Sequence, residues 1–128
     1  AAGVPMVAGT DANVPVMAPG YSMHQELEAL VYAGMTPAQA LESATATPAR
    51  FMDWNTGRIL PGFRANLVLL NANPLEDIRN TRAVEAVVMH GEVLMREELD
   101  AMLDAVEAAN NAARNTPLDP AWTQAAAQ

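Results

Sequence analysis

Apolar and polar positions follow two different rhythms along this chain, and the change between them falls near residue 54. Residues 4–8 form a short apolar, β-branched run between Gly3 and Gly9, which predicts a buried strand. Asn13, Pro15, Pro19 and Gly20 then give residues 12–21 a loop composition. In "SMHQELEALVYAG", Met23, Leu27, Leu30 and Val31 fall on one helical face. Ser22 is placed as N-cap, with Gln25 three residues on completing a capping box, and Gly34 as the stop. A second helix is signalled more fully, by Thr36 at the N-cap, Pro37 at the first helical position and Gln39 at the third. Ala40, Leu41 and Ala44 make its small apolar face, and Pro48 limits or kinks it.

Beyond residue 54 the punctuation is that of β structure. The turn residues Asn55, Thr56 and Gly57, then Pro61 and Gly62, bracket a short predicted strand at residues 58–60. Leu67–Leu70 is a solid apolar run ended by Asn71, Asn73 and Pro74. "VEAVVMHGEVLM" predicts two strands joined by a two-residue hairpin loop at His90 and Gly91. Helical spacing returns in "REELDAMLDAVEAANNAARN", with Leu99, Met102, Leu103 and Val106 on one stripe. The final "TPLDPAWTQAAAQ" has no period, so a mobile tail is expected. No internal repeat is present. The division that follows is residues 1–54 as strand and helices, 55–96 as sheet and 97–128 as helix and tail, packed as one unit.

Composition narrows the functions available. The chain has 128 residues, enough for one domain with a core. Its formal net charge is −8, with seven arginines and no lysine, which argues against nucleic-acid backbones and anionic membrane surfaces as partners. No apolar run approaches the roughly 20 residues that span a bilayer. The absence of cysteine removes disulfides, thiolate zinc sites and cysteine nucleophiles, and is compatible with the expected cytoplasmic location. The first residues carry no initiator methionine and no basic leader, and already read as the approach to a strand. The expectation is a chain that begins within a larger fold.

Four stretches now carry a resemblance. "GVPMVAGTDA", "HQELEALVYAGMTPAQALESATATPARFM", "GRILPGFRANLVLLNANPLEDI" and "VEAVVMHGEVLM" occur in the order seen in metal-dependent amidohydrolases. The chain resembles the imidazolonepropionase-like and Xaa-Pro-dipeptidase-like members over roughly residues 3 to 99. The resemblance implies an α/β fold: the last strand and following helices of a (β/α)₈ barrel, the C-terminal part of a small β-sandwich, and a C-terminal helix. It implies a C-terminal fragment of an enzyme that hydrolyses amide-type C–N bonds in dipeptide- or cyclic-amide-like substrates, with a divalent metal, usually zinc.

In such barrels functional side chains project from the C-terminal ends of the strands. A carboxylate there is costly to bury alone and calls for a cation or donors. By position Asp11 matches the family aspartate that binds the metal and moves a proton from metal-activated water to the leaving nitrogen. The bare residues "TDAN" are also good turn chemistry, because an aspartate bonds its own backbone two residues on. The remaining ligands that the resemblance calls for, a His-x-His pair, further histidines and a carboxylated lysine, have no match in this chain. Its histidines are His24 and His90 alone. His24 falls in the first turn of its helix, which suits a polar or packing role, and His90 falls in the hairpin turn. Zinc takes three or four protein donors. A complete site within this chain, and activity of the chain by itself, are therefore not expected.

Other constellations carry less. Glu26 and Glu28, two apart on a helix, diverge and do not act as a pair. Ser22 and Ser43 lack a G-x-S-x-G context. Glu97, Glu98 and Asp100 read as a helix start facing water. Asn66 stands where the family usually has aspartate, at the entry to a strand, a structural position. The alternative to the enzyme portion is a non-catalytic, stand-alone oligomerising module. Exposed apolar residues of an unpaired barrel strand predict a homo-oligomer or a complementary barrel fragment as partner.

Overall fold

The computed structural model describes residues 4–12 and 18–115. The expected tail and residues 13–17 of the loop lie outside the described residues. The chain divides into two compact units, one reaching to Met95 and the other starting at Arg96.

The first unit is a mixed α/β arrangement. Its helices are α1 (Tyr21–Tyr32), α2 (Pro37–Ala44) and α3 (Ala46–Phe51). The start of α2 is the capping box read from the sequence. Thr36 Oγ1 accepts the Gln39 N–H at 3.2 Å, and Gln39 Oε1 accepts the Thr36 N–H at 2.9 Å. The helix ends at Ala44, and the chain resumes as α3 after Thr45 leaves helical geometry. Pro48 explains the place of the break. A proline in a continuous helix would push its ring into the carbonyl four residues back, which is that of Ala44.

The capping box proposed at Ser22 is not formed. Gly20 takes φ 83°, a left-handed value open to glycine, and α1 begins at Tyr21 with no side-chain cap. Ser22 sits inside the helix instead, 2 % exposed, and its hydroxyl has no hydrogen-bond partner among the described residues. The core lies where α1, α2 and a 3₁₀ helix at Ile78–Arg82 meet. Leu27, Ala40 and Ile78 are buried there, with Met23, Leu30, Val31, Leu41 and Ala44 packed around them. The sequence pattern missed the 3₁₀ helix because local side-chain bonds, not apolar spacing, build it. Asn73 Oδ1 accepts the Leu75 N–H, and Asp77 Oδ1 accepts the Arg79 N–H at the helix start. The Arg79 guanidinium, and then its backbone N–H, pull the Asp77 carboxyl from 3.8 down to about 2.

Three antiparallel strands follow the order β1 (Leu67–Leu70), β2 (Val84–Met89), β3 (Glu92–Met95). The β2–β3 hairpin has the two-residue loop expected. His90 and Gly91 take φ 54° and 87°, the pair of positive values that matches the twist of the strands. The β1–β2 register shifts between Leu69 and Leu70, where Asn71 Nδ2 donates to Glu85 Oε2 at 2.8 Å. Register places Leu67, Leu69, Ala86, Val88, Val93 and Met95 on one face, and Val68, Val87 and Leu94 on the other. Both faces are therefore apolar, yet Val68, Leu69, Val93 and Met95 remain exposed.

Two predicted strands are absent. Residues 4–8 form no ladder, and Val4, Met6 and Val7 are exposed. Residues 58–60 likewise form no strand, and Ile59 is 84 % exposed. Composition marks a segment as fit for a sheet, but a ladder needs a partner, and none of the described residues pairs with either stretch. The second unit is α4 (Arg96–Asn115), opened by Glu97 and Glu98 in its first turn and by an Arg96–Asp100 ion pair at 2.7 Å.

Candidate functional site

Asp11 lies at the exposed end of the first described segment, with φ 46°. The backbone ahead of it is held from two helices. The Ala8 N–H donates to the Ser43 carbonyl at 2.9 Å, and the Gly9 N–H donates to Glu26 Oε1 at 3.3 Å. Glu26 and Glu28 do point to different partners, as their spacing required, since Glu28 forms an ion pair with Arg82 of the 3₁₀ helix.

His24 belongs to that second group rather than to Asp11. Its Nδ1 lies 3.0 Å from Thr81 Oγ1, and the Thr81 hydroxyl donates to the Ile78 carbonyl at 2.9 Å. With its proton so committed, Thr81 Oγ1 accepts from an Nδ1–H, which assigns His24 that tautomer. Tyr21 meets the imidazole edge-on with ring centroids 6.1 Å apart, and the Arg82 guanidinium lies 5.1 Å from the Tyr21 ring centre. Burial and the Arg82 charge lower the His24 pKa from 6.5, against a smaller opposing pull from Glu28. Above pH 6.5 the imidazole is neutral both folded and unfolded. As pH falls, the unfolded chain takes the proton first, so stability present above 6.5 is lost as pH drops through the lowered folded value. Thermal unfolding should therefore show the wild-type midpoint dropping more between pH 7.5 and 5 than that of His24→Gln. Parallel pH profiles for the two proteins would contradict this.

His90 is exposed at the hairpin turn, where its N–H donates to Asn66 Oδ1 at 3.3 Å. That contact gives Asn66 a structural task at the mouth of β1. The structure thus brings neither histidine to Asp11. Among the described residues no group of three or more histidine, aspartate or glutamate side chains could hold a metal ion. The donor set does not fit a complete divalent-metal site, because Asp11 offers a single carboxylate where three or four donors are needed. Glu26 is the residue whose place at the tip went unread. Its one sequence signal was a carboxylate on the same helix, one turn from the N-terminal end.

Also among the described residues, no helix is long and apolar enough to cross a membrane. Comparison with known proteins supplies the remaining context. Residues 1–94 match the sequence model of the Amidohydrolase family. The ochratoxinase of Aspergillus niger is 37 % identical over 90 residues, which is 67 % of this chain and 18 % of that protein. The imidazolonepropionase of Cereibacter sphaeroides is 42 % identical over 76 residues, 56 % of this chain and 18 % of its own length. Among solved structures, a Xaa-Pro dipeptidase with bound methionine in the active site superposes with a TM-score of 0.63 at 33 % identity, covering 73 % of this chain and 23 % of that one. The chain spans under a fifth of the length of these two curated relatives.

Proposed function

Because the chain belongs to the amidohydrolase family, we propose that it is the C-terminal portion of a metal-dependent hydrolase acting on amide-type C–N bonds. Dipeptides and cyclic amides are the substrate classes of this reading, given the named activities of the relatives. The observation that carries it is the family match across residues 1–94, with Asp11 exposed at the end of its first segment. Residues 4–8 are then the last strand of a (β/α)₈ barrel with Asp11 just past its end, α1 to α3 the helices that follow it, and β1 to β3 the C-terminal part of a small sandwich. A barrel strand expects neighbours on both sides, which accounts for the exposure of Val4, Met6 and Val7. A cytoplasmic location belongs to the same reading.

Asp11 is the metal-side acid of this proposal, and the imidazole ligands of a zinc centre come from outside this chain. Its own residues do something narrower: they present one carboxylate from a tip anchored to α1 and α2. The reading frame upstream of residue 1 should encode barrel strands with a His-x-His pair. In the whole enzyme Asp11→Asn should lower dipeptide hydrolysis by a factor on the order of 10³. A start codon directly before residue 1, with no barrel-encoding sequence nearby, contradicts the proposal. So does an isolated chain that binds one zinc and hydrolyses dipeptides.

The exposed apolar sheet favours a second reading, a non-catalytic module that self-associates or takes up a complementary barrel fragment. Sedimentation decides it, because a monomer at high concentration removes this alternative.

A further inference from the structure

The two hydrogen bonds ahead of Asp11 differ in what they depend on. The Ala8 N–H meets a backbone carbonyl, that of Ser43, which most residues at position 43 would present equally. The Gly9 N–H meets a single side chain, the Glu26 carboxylate, reaching across seventeen positions of sequence. Residues 4–10 have no strand pairing among the described residues, so no ladder duplicates this contact. The nearby Glu28 cannot replace it, because that carboxylate is turned to Arg82.

Two residues past Gly9, Asp11 holds φ 46°. An aspartate enters this left-handed region readily compared with most residues, but still at a cost, and keeps it when the surroundings fix the chain on either side. A carboxylate accepting a backbone N–H makes a stronger bond than a neutral oxygen does. Tethering Gly9 therefore fixes the point from which Thr10 and Asp11 leave.

We propose that Glu26 is a positioning residue for Asp11: its carboxylate holds the Gly9 amide and so sets the direction in which the Asp11 side chain leaves the tip. The functional meaning rests on the reading of Asp11 given above, whereas the tether itself requires neither metal nor substrate. Glu26 acts through the backbone and touches no reacting atom.

The test is amide hydrogen exchange and backbone coupling by nuclear magnetic resonance on the full isotope-labelled chain. In Glu26→Ala the Gly9 amide should exchange about tenfold faster, while the Ala8 amide, bonded to Ser43, keeps its wild-type rate. The three-bond amide–Cα proton coupling of Asp11, which reports φ, should move toward a conformationally averaged value. Glu26→Gln keeps an acceptor oxygen at the same reach and should restore both readings most of the way. Ala8 and Gly9 accelerating together in Glu26→Ala would mean a general loosening of the fold and would overturn the proposal. An unchanged Asp11 coupling overturns it too, even with Gly9 released. Asp11→Asn in the same chain should leave Gly9 protected. None of these readings involves hydrolysis, so failure of the tether and failure of the hydrolase reading are seen separately.

Discussion

Gly57→Ala should lower the stability of the first unit by about 3 kcal/mol and its melting midpoint by roughly 15 °C. Gly57 has φ +76°, and a Cβ built on it would lie 2.4 Å from the Thr45 carbonyl oxygen and 2.7 Å from the carbonyl carbon. Both atoms are backbone at the joint between α2 and α3, so no flexible side chain can move aside. Overpacking and left-handed strain then act at the same position, each costing about 1 to 3 kcal/mol. Gly34→Ala separates the two effects. Gly34 has φ +108° with nothing within 4 Å of a built Cβ, so it carries the backbone cost alone and should melt well above Gly57→Ala. Calorimetry on both variants checks the order, and equal midpoints would show that the close approach to Thr45 costs nothing.

Leu27→Ala should have an effect of the same size, about 2 to 5 kcal/mol. Leu27 is 4 % exposed and, with Ala40 and Ile78, forms the buried centre between α1, α2 and the 3₁₀ helix. Truncation leaves a cavity that α2 cannot close, because Thr36 and Gln39 pin its start and Ala40 already touches the centre with no exposed surface. The core holds few large side chains, so this loss is a large share of a total stability of about 5 to 15 kcal/mol. Tyr32→Ala on the same helix is the control, since Tyr32 is 96 % exposed. Urea unfolding should place the Leu27 variant far below the Tyr32 variant, and matching midpoints would remove Leu27 from the centre of the core.

What could be read ahead of the structure was whatever is encoded locally. Thr36, Pro37 and Gln39 specify a helix start within four residues, and the structure forms it. His90 and Gly91 specify a hairpin within two, and that forms as well. Ser22 satisfied the same local rule as Thr36 and failed. Gly20 could start the helix two residues earlier, which sent the Ser22 hydroxyl into the interior. The apolar runs at residues 4–8 and 58–60 failed for another reason. Strand pairing is a long-range event, and composition records only one of the two participants. The same limit applies at the tip. Asp11 is singled out by the resemblance alone, but the reach of Glu26 to Gly9 depends on how α1 lies beside the first segment, which no spacing rule contains.

The three-stranded sheet has a consequence for handling the chain. Among the described residues its order leaves β1 and β3 each without a further neighbour, and both its faces are rich in aliphatic groups. Such a ribbon can recruit additional extended backbone edge to edge, and its main safeguard is mutual repulsion between chains of net charge −8. Acidifying the buffer toward carboxylate protonation, or raising salt enough to shorten the screening length, weakens that safeguard, so low ionic strength near neutrality is the condition that keeps the chain dispersed.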